Sequence, residues 1–338
     1  MSVTWRTDLL PPYKRKNRPI AWEQSGKGGP RPQRALFARG TFTRTEEISR
    51  PVGWSSILLA ADLSATASRA LRVAVELARL YSARLAAVHV PSLGASRGRL
   101  SAGRKKGSPV GEGFSKEGRR RLEERFSALS HELILGGGES VQALSGLIEK
   151  RKPGVLVLEA ASPGRKTGAG TARSHQKNIA QEIFRRAPCA IMTVKPSAAT
   201  EQEEAAPHFE RILYATDFSV ESLAAAPSAV SLASRAEAQL TLLHASDERQ
   251  PEEASAALET LRDLVPLGTR LFRKPRCLVE RGALAELCLR LASAENSSLL
   301  VLGIAREEAG TYLGPRQTVA EAWDIAMRAS CPVLTVRS

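Results

Sequence analysis

The sequence SILLAADLS at residues 56–64 returns as RILYATDFS at residues 211–219. Each copy is a short apolar run that ends at an aspartate. Such a run is too short for a stable helix and is typical of a strand that is buried on both faces of a sheet. The chain therefore contains two copies of a unit that opens with a buried strand.

Three further segments recur in the same order. Their pairs are 83–89 with 238–244, 156–160 with 299–303, and 189–194 with 331–336. The separation between copies is 155 residues for the first two pairs of segments and falls to 143 and 142 for the last two. The first copy thus has extra residues, which we place in the polar segment 91–115, a predicted loop rich in Gly, Ser, Arg and Lys.

Amphipathic helices are predicted between the strands. Apolar residues from Thr66 to Tyr81 recur every three or four positions, which gives a helix with one apolar face, and Ser64 is the predicted cap. Further helices are predicted at residues 116–132, 141–151 and 178–186, and strands at 84–90, 133–135, 155–158 and 190–194. This alternation predicts an α/β fold with two tandem, doubly wound parallel sheets.

The predicted organisation is a tail at 1–52, a domain at 53–196, a linker at 197–208 and a domain at 209–338. The tail mixes Pro, Gly, Arg and Lys without a period, and such a segment cannot bury enough apolar surface to offset the entropy of ordering. We therefore predict that it is disordered. Net charge is +7 in residues 1–51, +10 in residues 52–207 and −3 in residues 208–338.

The composition argues against several classes of protein. No apolar run approaches the ~20 residues that span a bilayer, and the amino terminus has no apolar signal segment, so we expect a cytoplasmic protein without membrane contact. The four cysteines form no C-x-x-C pair, which argues against structural zinc and favours buried free thiols. We find no catalytic constellation and no metal cluster, and we expect no enzymatic activity.

Both halves resemble universal stress protein domains in tandem. The resemblance rests on AADLS and ATDFS after the first strand, on VHV and LHA at the second, and on APCAIMTV and SCPVLTV at the last. It covers residues 54–196 and 209–338. It implies a five-stranded parallel sheet of order 3-2-1-4-5 in each half, dimer-like pairing of the two domains, and ATP as a possible ligand.

Ligands of open α/β sheets bind outside the carboxyl ends of the strands, where the strand order reverses. Asp62 and Asp217 lie at that point, and the resemblance implies that they contact a nucleotide. The alternative is that both aspartates cap the turn between strand and helix. For His89 and His244, at the end of the second strand, we expect a packing or turn role. The candidate cofactor-binding residues are Asp62, Val90, Asp217, Gly303 and Arg306.

Nucleotide-binding members of the family carry G-x2-G-x9-G-[S/T] after the fourth strand, where glycines let backbone N–H groups approach phosphate. This sequence departs from that pattern in both copies. Glu159 and Ser162 stand at the first two glycines of the first copy, and Arg306 stands at the second glycine of the second copy, which keeps Gly303. Near the last position stand Lys177 and Asn178, or Thr318 and Val319. We therefore expect weak or absent ATP binding, unless the pairs Arg165 and Lys166 or Arg306 and Arg316 bind phosphate by charge.

The sequence favours a non-catalytic stress-response or regulatory binding module with degenerate nucleotide sites. One alternative is ATP binding retained in the second domain. Another is nonspecific binding of nucleic acid or an acidic surface through the tail and residues 97–121, which contain RKK at 104–106 and RRR at 119–121. An enzyme of the broader adenine-nucleotide α/β group is disfavoured by the missing phosphate motifs. The expected partner of each domain is the other domain, and a further homodimer stays open.

Overall fold

The computed structural model describes residues 20–21, 52–63, 68–90, 116–135, 140–160, 179–196, 208–246, 251–305 and 318–337. Most of the predicted disordered tail therefore lies outside the described residues. The exceptions are Val52 and strand β1 (Ile20–Ala21), which pairs antiparallel with Arg270–Leu271 of the second half. The predicted loop at 91–115 and nearly all of the linker also lie outside.

The first half alternates strands and helices as expected. Its strands are β2 (Ser56–Ala61), β3 (Arg84–His89), β4 (His131–Ile134), β5 (Val155–Glu159) and β6 (Ala190–Val194). Its helices are α1 (Arg69–Tyr81), α2 (Lys116–Phe126), α3 (Val141–Arg151) and α4 (described over 179–186). The residues predicted to form the apolar face of α1 are buried, among them Val73, Leu77 and Tyr81.

The second half repeats the alternation. Its strands are β7 (Arg211–Thr216), β8 (Gln239–Ser246), β9 (Arg270–Leu271), β10 (Arg276–Arg281), β11 (Leu299–Ile304) and β12 (Val333–Arg337). Its helices are α5 (Val220–Leu223), α6 (Ala226–Arg235), α7 (Pro251–Asp263), α8 (Leu284–Ala294) and α9 (Val319–Arg328). No helix within the described ranges has the length and apolar character needed to cross a membrane.

The strand order confirms the predicted fold. The first half runs β4-β3-β2-β5-β6 and the second runs β10-β8-β7-β11-β12, which is the order 3-2-1-4-5 in both. All neighbours within each half are parallel. Strands β6 and β12 pair antiparallel and join the halves into one ten-stranded sheet. The two halves therefore pair within the chain, edge to edge.

The largest differences from the sequence-based expectation are at the end of α2 and at the start of α1. Helix α2 ends at Phe126 rather than near residue 132, because His131 and Glu132 pair with Leu85 and Ala86 as the start of β4. Helix α1 is capped by Ser68, whose hydroxyl accepts from the backbone N–H of Leu71. The predicted cap, Ser64, lies outside the described residues.

The junction of the halves has an approximate two-fold axis between Met192 and Leu334, which pair with each other. On one side Lys195 Nζ donates to the carbonyl of Met327, at the end of α9, over 3.3 Å. On the other side Arg337 donates to the carbonyl of Phe184, in the last turn of α4. A cation is favourable at a helix carboxyl end, so each half supplies a cap to the other half's last helix.

A second set of contacts crosses the opposite face of the sheet, where α1 lies beside α6. The hydroxyl of Tyr81 donates to Ser231 Oγ (3.1 Å), and Ser231 donates to the carbonyl of Val52 (2.9 Å). The guanidinium of Arg235 lies 4.6 Å from the centre of the Tyr81 ring and donates to the carbonyl of Leu80. Both faces of the sheet therefore carry bonds between the halves.

Candidate functional site

The carboxyl ends of β2, β3 and β5 bring together the candidate residues of the first half. Asp62 follows β2 directly, and only 5% of its surface is exposed. Val90 follows β3, is fully buried, and donates its backbone N–H to the carbonyl of Ala61 over 2.9 Å. Asp62 and Val90 are thus neighbours at this edge, as expected for residues on adjacent parallel strands.

Glu159 lies at the end of β5 and turns its carboxylate into the protein, where it is 4% exposed. Its Oε2 accepts from the backbone N–H of Asp62 (3.0 Å), and its Oε1 accepts from the hydroxyl of Ser68 (3.1 Å). Burial raises the pKa of Glu159 to about 7, against the lowering effect of these two hydrogen bonds. The carboxylate therefore links the loop after β2 to the cap of α1.

His89 completes this group. Its Nδ1 accepts from the backbone N–H of Leu63 (3.1 Å) and lies 3.9 Å from Asp62 Oδ1. Because Nδ1 accepts that hydrogen bond, it carries no proton in this arrangement. The imidazole therefore holds the turn after β2, which is the turn role expected for this histidine.

The equivalent turn of the second half is built differently. Asp217 is half-buried, and its Oδ1 accepts from the backbone N–H of Ser219 (2.9 Å), a bond that closes an Asx turn. His244 Nδ1 bonds the carbonyl of Thr216 (3.1 Å). The His244 ring stacks on Phe218, with ring centres 3.9 Å apart and planes inclined by 17°. Phe218 has a φ of +63°, a strained conformation for so bulky a residue.

Gly303 lies at the end of β11, beneath the short helix α5. A Cβ placed on Gly303 would lie 2.0 Å from the carbonyl oxygen of Glu221 and 2.6 Å from the Cα of Ser222. No side chain fits at that separation. Glycine is therefore required here by the close approach of the α5 backbone, whether or not a ligand binds.

The sheet register shows that Glu159 and Gly303 are equivalent. Glu159 pairs with Val194, and Gly303 pairs with Val336. These two valines are equivalent, because each directly precedes a basic residue, Lys195 or Arg337, in the last strand of its half. The predicted match of 156–160 with 299–303 is therefore wrong by one residue. The register of two short aliphatic runs cannot be read from their sequences, because their residues are alike. The backbone pairing of the sheet determines it.

Most of the phosphate-loop positions lie outside the described residues. They include Ser162, Arg165, Lys166, Lys177, Asn178, Arg306 and Arg316. Thr318 is described, and it caps α9: its hydroxyl accepts from the backbone N–H of Glu321 (3.1 Å), while Glu321 Oε2 accepts from the N–H of Thr318 (2.9 Å). This capping box accounts for the Thr318 hydroxyl.

All four cysteines are free thiols. The sequence favours burial of all four, but only Cys288 and Cys331 are buried. Cys189 and Cys277 are half-buried, the latter because it lies on the outer strand β10. Burial raises the pKa of Cys331 to about 11 and that of Cys288 to about 12. Over the part of the chain that the structure describes, no group of three or more His, Cys, Asp or Glu side chains is placed to hold a metal ion.

Comparison with known proteins places this arrangement in a family. The model of the Universal stress protein family matches residues 53–195 and 208–337. A universal stress protein from Archaeoglobus fulgidus DSM 4304 has a similar fold, with a TM-score of 0.55 and 15% identity over 85% of this chain and 99% of that one. A putative universal stress protein from Pseudomonas aeruginosa UCBPP-PA14 also aligns, with a TM-score of 0.55 and 16% identity over 84% and 93% of the two chains.

The comparison with curated proteins gave no match. The family model nevertheless covers most of the sequence in two segments, and the strand order agrees with it in both halves. The chain belongs to the universal stress protein family, and it carries two copies of the domain in tandem.

Proposed function

We propose that this protein is a non-catalytic, stress-type regulatory module that acts by binding, with domains at 53–196 and 209–338 whose nucleotide sites are degenerate. In the first domain, Glu159 closes the site. The observation that carries the proposal is the buried carboxylate of Glu159, held by the backbone of Asp62 and the hydroxyl of Ser68.

Electrostatics supports this proposal. Glu159 has a pKa of about 7 and is therefore partly ionised near neutral pH; when it is ionised, little water screens its charge, and it disfavours a phosphate beside it. The Asp62 carboxyl, 5% exposed, adds to the acidic character of the same edge. These two acidic side chains support the proposal that the first domain binds a triphosphate weakly or not at all.

A second candidate function is ATP binding by the second domain. It is favoured by Asp217, which is half-buried where its counterpart Asp62 is buried, and which stands at the point where the strand order reverses. The glycine at 303 adds little to this candidate, because the packing of α5 already requires it.

Nucleic-acid binding gains little support from the described part of the basic segment. In α2, Arg119 pairs with Glu123 (2.8 Å) and Arg120 pairs with Glu124 (3.0 Å). These pairs neutralise two of the three consecutive arginines. Most of the tail and the RKK segment at 104–106 lie outside the described residues.

Calorimetry of the full chain with ATP tests the proposal. We expect no binding in the micromolar range for the natural sequence. Micromolar affinity that is lost in Asp217→Ala and kept in Asp62→Ala would replace the proposal with the second candidate. Hydrolysis assays with several nucleotides test the non-catalytic part, and clear turnover would contradict it.

A further inference from the structure

Strand β9 lies in a connection of the second half that is much longer than its counterpart in the first. Residues 264–275 join α7 to β10, whereas residues 127–130 join α2 to β4. The longer connection contains a turn in which the N–H of Thr269 donates to the carbonyl of Pro266 (3.1 Å). Leu267, at the tip of this turn, has 69% of its surface exposed. The second half therefore presents an additional strand beside an exposed apolar residue.

Helix α6 holds both this strand and the end of the tail. Ser234 Oγ donates to the carbonyl of Arg270, in β9, over 2.7 Å. In the preceding turn of α6, Ser231 donates to the carbonyl of Val52, where the tail reaches the first domain (2.9 Å). Because β1 of the tail pairs with β9, the segment 22–51 begins and ends beside the same helix of the second domain.

The register of β1 on β9 defines two faces of this small sheet. Ile20 lies opposite Leu271, which is buried, and Ala21 lies opposite Arg270, which is exposed. Residues that lie opposite each other share a face, and successive residues of a strand alternate between faces. A strand that docks here is therefore expected to carry apolar residues at position 20 and at every second position from it.

The tail sequence IAWE at residues 20–23 has that alternation. An extended strand that continues past Ala21 places Trp22 on the buried face with Leu271 and Glu23 on the exposed face. Glu23 is then diagonal to Arg270, and long side chains of opposite charge interact at that separation. Residues 1–51 hold 4 acidic against 11 basic residues, so an acidic residue beside Arg270 departs from the composition of the tail.

The chain's own tail has an advantage over any free segment as the occupant. A strand of so few residues gains little from backbone pairing, and a free peptide of this length would bind weakly. The tail is joined covalently to Val52, which Ser231 holds beside α6. Its docking is therefore intramolecular, and linkage of this kind gives an effective concentration up to the order of millimolar.

We propose that β9, its turn and α6 form a docking surface for an extended strand, and that residues 20–23 of the chain's own tail occupy it. Backbone pairing with β9 aligns the segment. Trp22 packs beside the turn that carries Leu267, and Glu23 pairs with Arg270. The connection leads into the start of β10, so this surface lies at the amino ends of the strands, away from the candidate nucleotide sites. Docking ties the tail to the second domain, although it precedes the first.

Hydrogen exchange of the full chain, resolved by mass spectrometry to residues 19–24, tests the proposal. The reference for each variant is a free peptide that carries the same change. We expect exchange about tenfold slower, or more, than in the peptide, because docking protects the backbone N–H groups. Ile20→Ser combined with Trp22→Ser should abolish this protection. Ala21→Ser is the matched control on the exposed face and should keep it.

Exchange of the natural chain at the rate of the free peptide overturns the proposal, as does full protection in the double serine variant. Protection should also be independent of protein concentration, because the occupant belongs to the same chain. Protection that rises with concentration would assign the docked strand to a second copy and would overturn the proposal in the same way.

Exchange of charges tests the register separately. Glu23→Arg and Arg270→Glu should each lower the protection about twofold to fivefold, the range of an exposed ion pair. The chain with both changes restores the pair with its charges reversed and should regain most of the protection. A double variant no better protected than either single one would overturn the pairing of Glu23 with Arg270.

Discussion

Glu159 and Gly303 occupy the same position in the two halves of the sheet, because Glu159 pairs with Val194 of β6 and Gly303 pairs with the equivalent Val336 of β12. In the first half the position holds a carboxylate that reaches Asp62 and Ser68. In the second half the same position lies against the backbone of Glu221. Two halves with one topology therefore differ at the centre of the candidate site, and this difference can be measured.

The stability of the protein should depend on pH through Glu159. Burial raises the pKa of Glu159 in the folded state to about 7 from an ordinary value of 4.5, so the folded state holds this proton more tightly than the unfolded state does. The stabilising contribution is complete below pH 4.5 and is lost as pH rises through 7. Glu159→Gln mimics the protonated form, and we expect it to exceed the natural chain by about 1–3 kcal/mol in free energy of unfolding at pH 8.

Urea unfolding from pH 4.5 to 8 measures this effect. The two proteins should be nearly equal at pH 4.5 and separate as pH rises. Glu123→Gln is the control, since Glu123 is an exposed ion-pair partner of Arg119. Parallel pH profiles for Glu159→Gln and the natural chain would show that Glu159 ionises as an ordinary surface carboxyl does.

Gly303→Ala should destabilise the second half, because the added Cβ would lie 2.0 Å from the carbonyl oxygen of Glu221. Relief requires α5 to move away from β11, and we expect a loss of about 2–4 kcal/mol. Gly146→Ala is the matched control: Gly146 lies inside α3 with nothing near a Cβ, and alanine there should stabilise by about 0.5–1 kcal/mol. Urea unfolding measures the free energy of unfolding of both variants. Equal changes in Gly303→Ala and Gly146→Ala would contradict the close approach of α5 to Gly303.

Tyr81→Phe should weaken the contact between α1 and α6. It removes the hydroxyl that donates to Ser231, while the ring stays in place beneath Arg235. We expect a loss of about 0.5–1.5 kcal/mol, the net value of one buried hydrogen bond. A double-mutant cycle with Ser231→Ala checks the partner, and additive losses would mean that the two hydroxyls do not interact.

Thr318→Ala should cost about 1 kcal/mol, because the Thr318 hydroxyl caps α9. Thr318→Ser keeps the hydroxyl and should retain most of the stability. Measuring ATP affinity and unfolding in both variants also distinguishes a capping role of the Thr318 hydroxyl from contact with a ligand. A nucleotide affinity that falls in Thr318→Ala, with unfolding unchanged, would assign the hydroxyl to a ligand instead.

The fold could be predicted from the sequence because apolar periodicity reports burial directly. Strands β2 and β6 and helix α3 match their predicted bounds, since each is a clear apolar run or an amphipathic segment with defined ends. The order of the strands in each half is predicted by the family resemblance, which both copies of the repeat share. These features depend on residues close together in the chain.

The candidate site was predicted less completely, because its bonds join distant residues. The sequence places Glu159 at the first glycine of the phosphate motif, yet its partner Asp62 is 97 residues away, and nothing local indicates that the carboxylate turns inward. Gly303 is likewise required because the backbone of α5 lies close to it. No sequence motif predicts that close approach. The family motif already places both residues at its first glycine, and the backbone pairing of the sheet agrees with that equivalence.

The antiparallel pairing of β6 with β12 has a genetic consequence. In an assembly of two identical chains, one codon specifies both copies of a site, and a glutamate gained by one is gained by the other. Here both copies are encoded separately on one polypeptide. Glu159 can therefore alter one site while Gly303 preserves the helix packing of the other, and each half is free to acquire its own specificity.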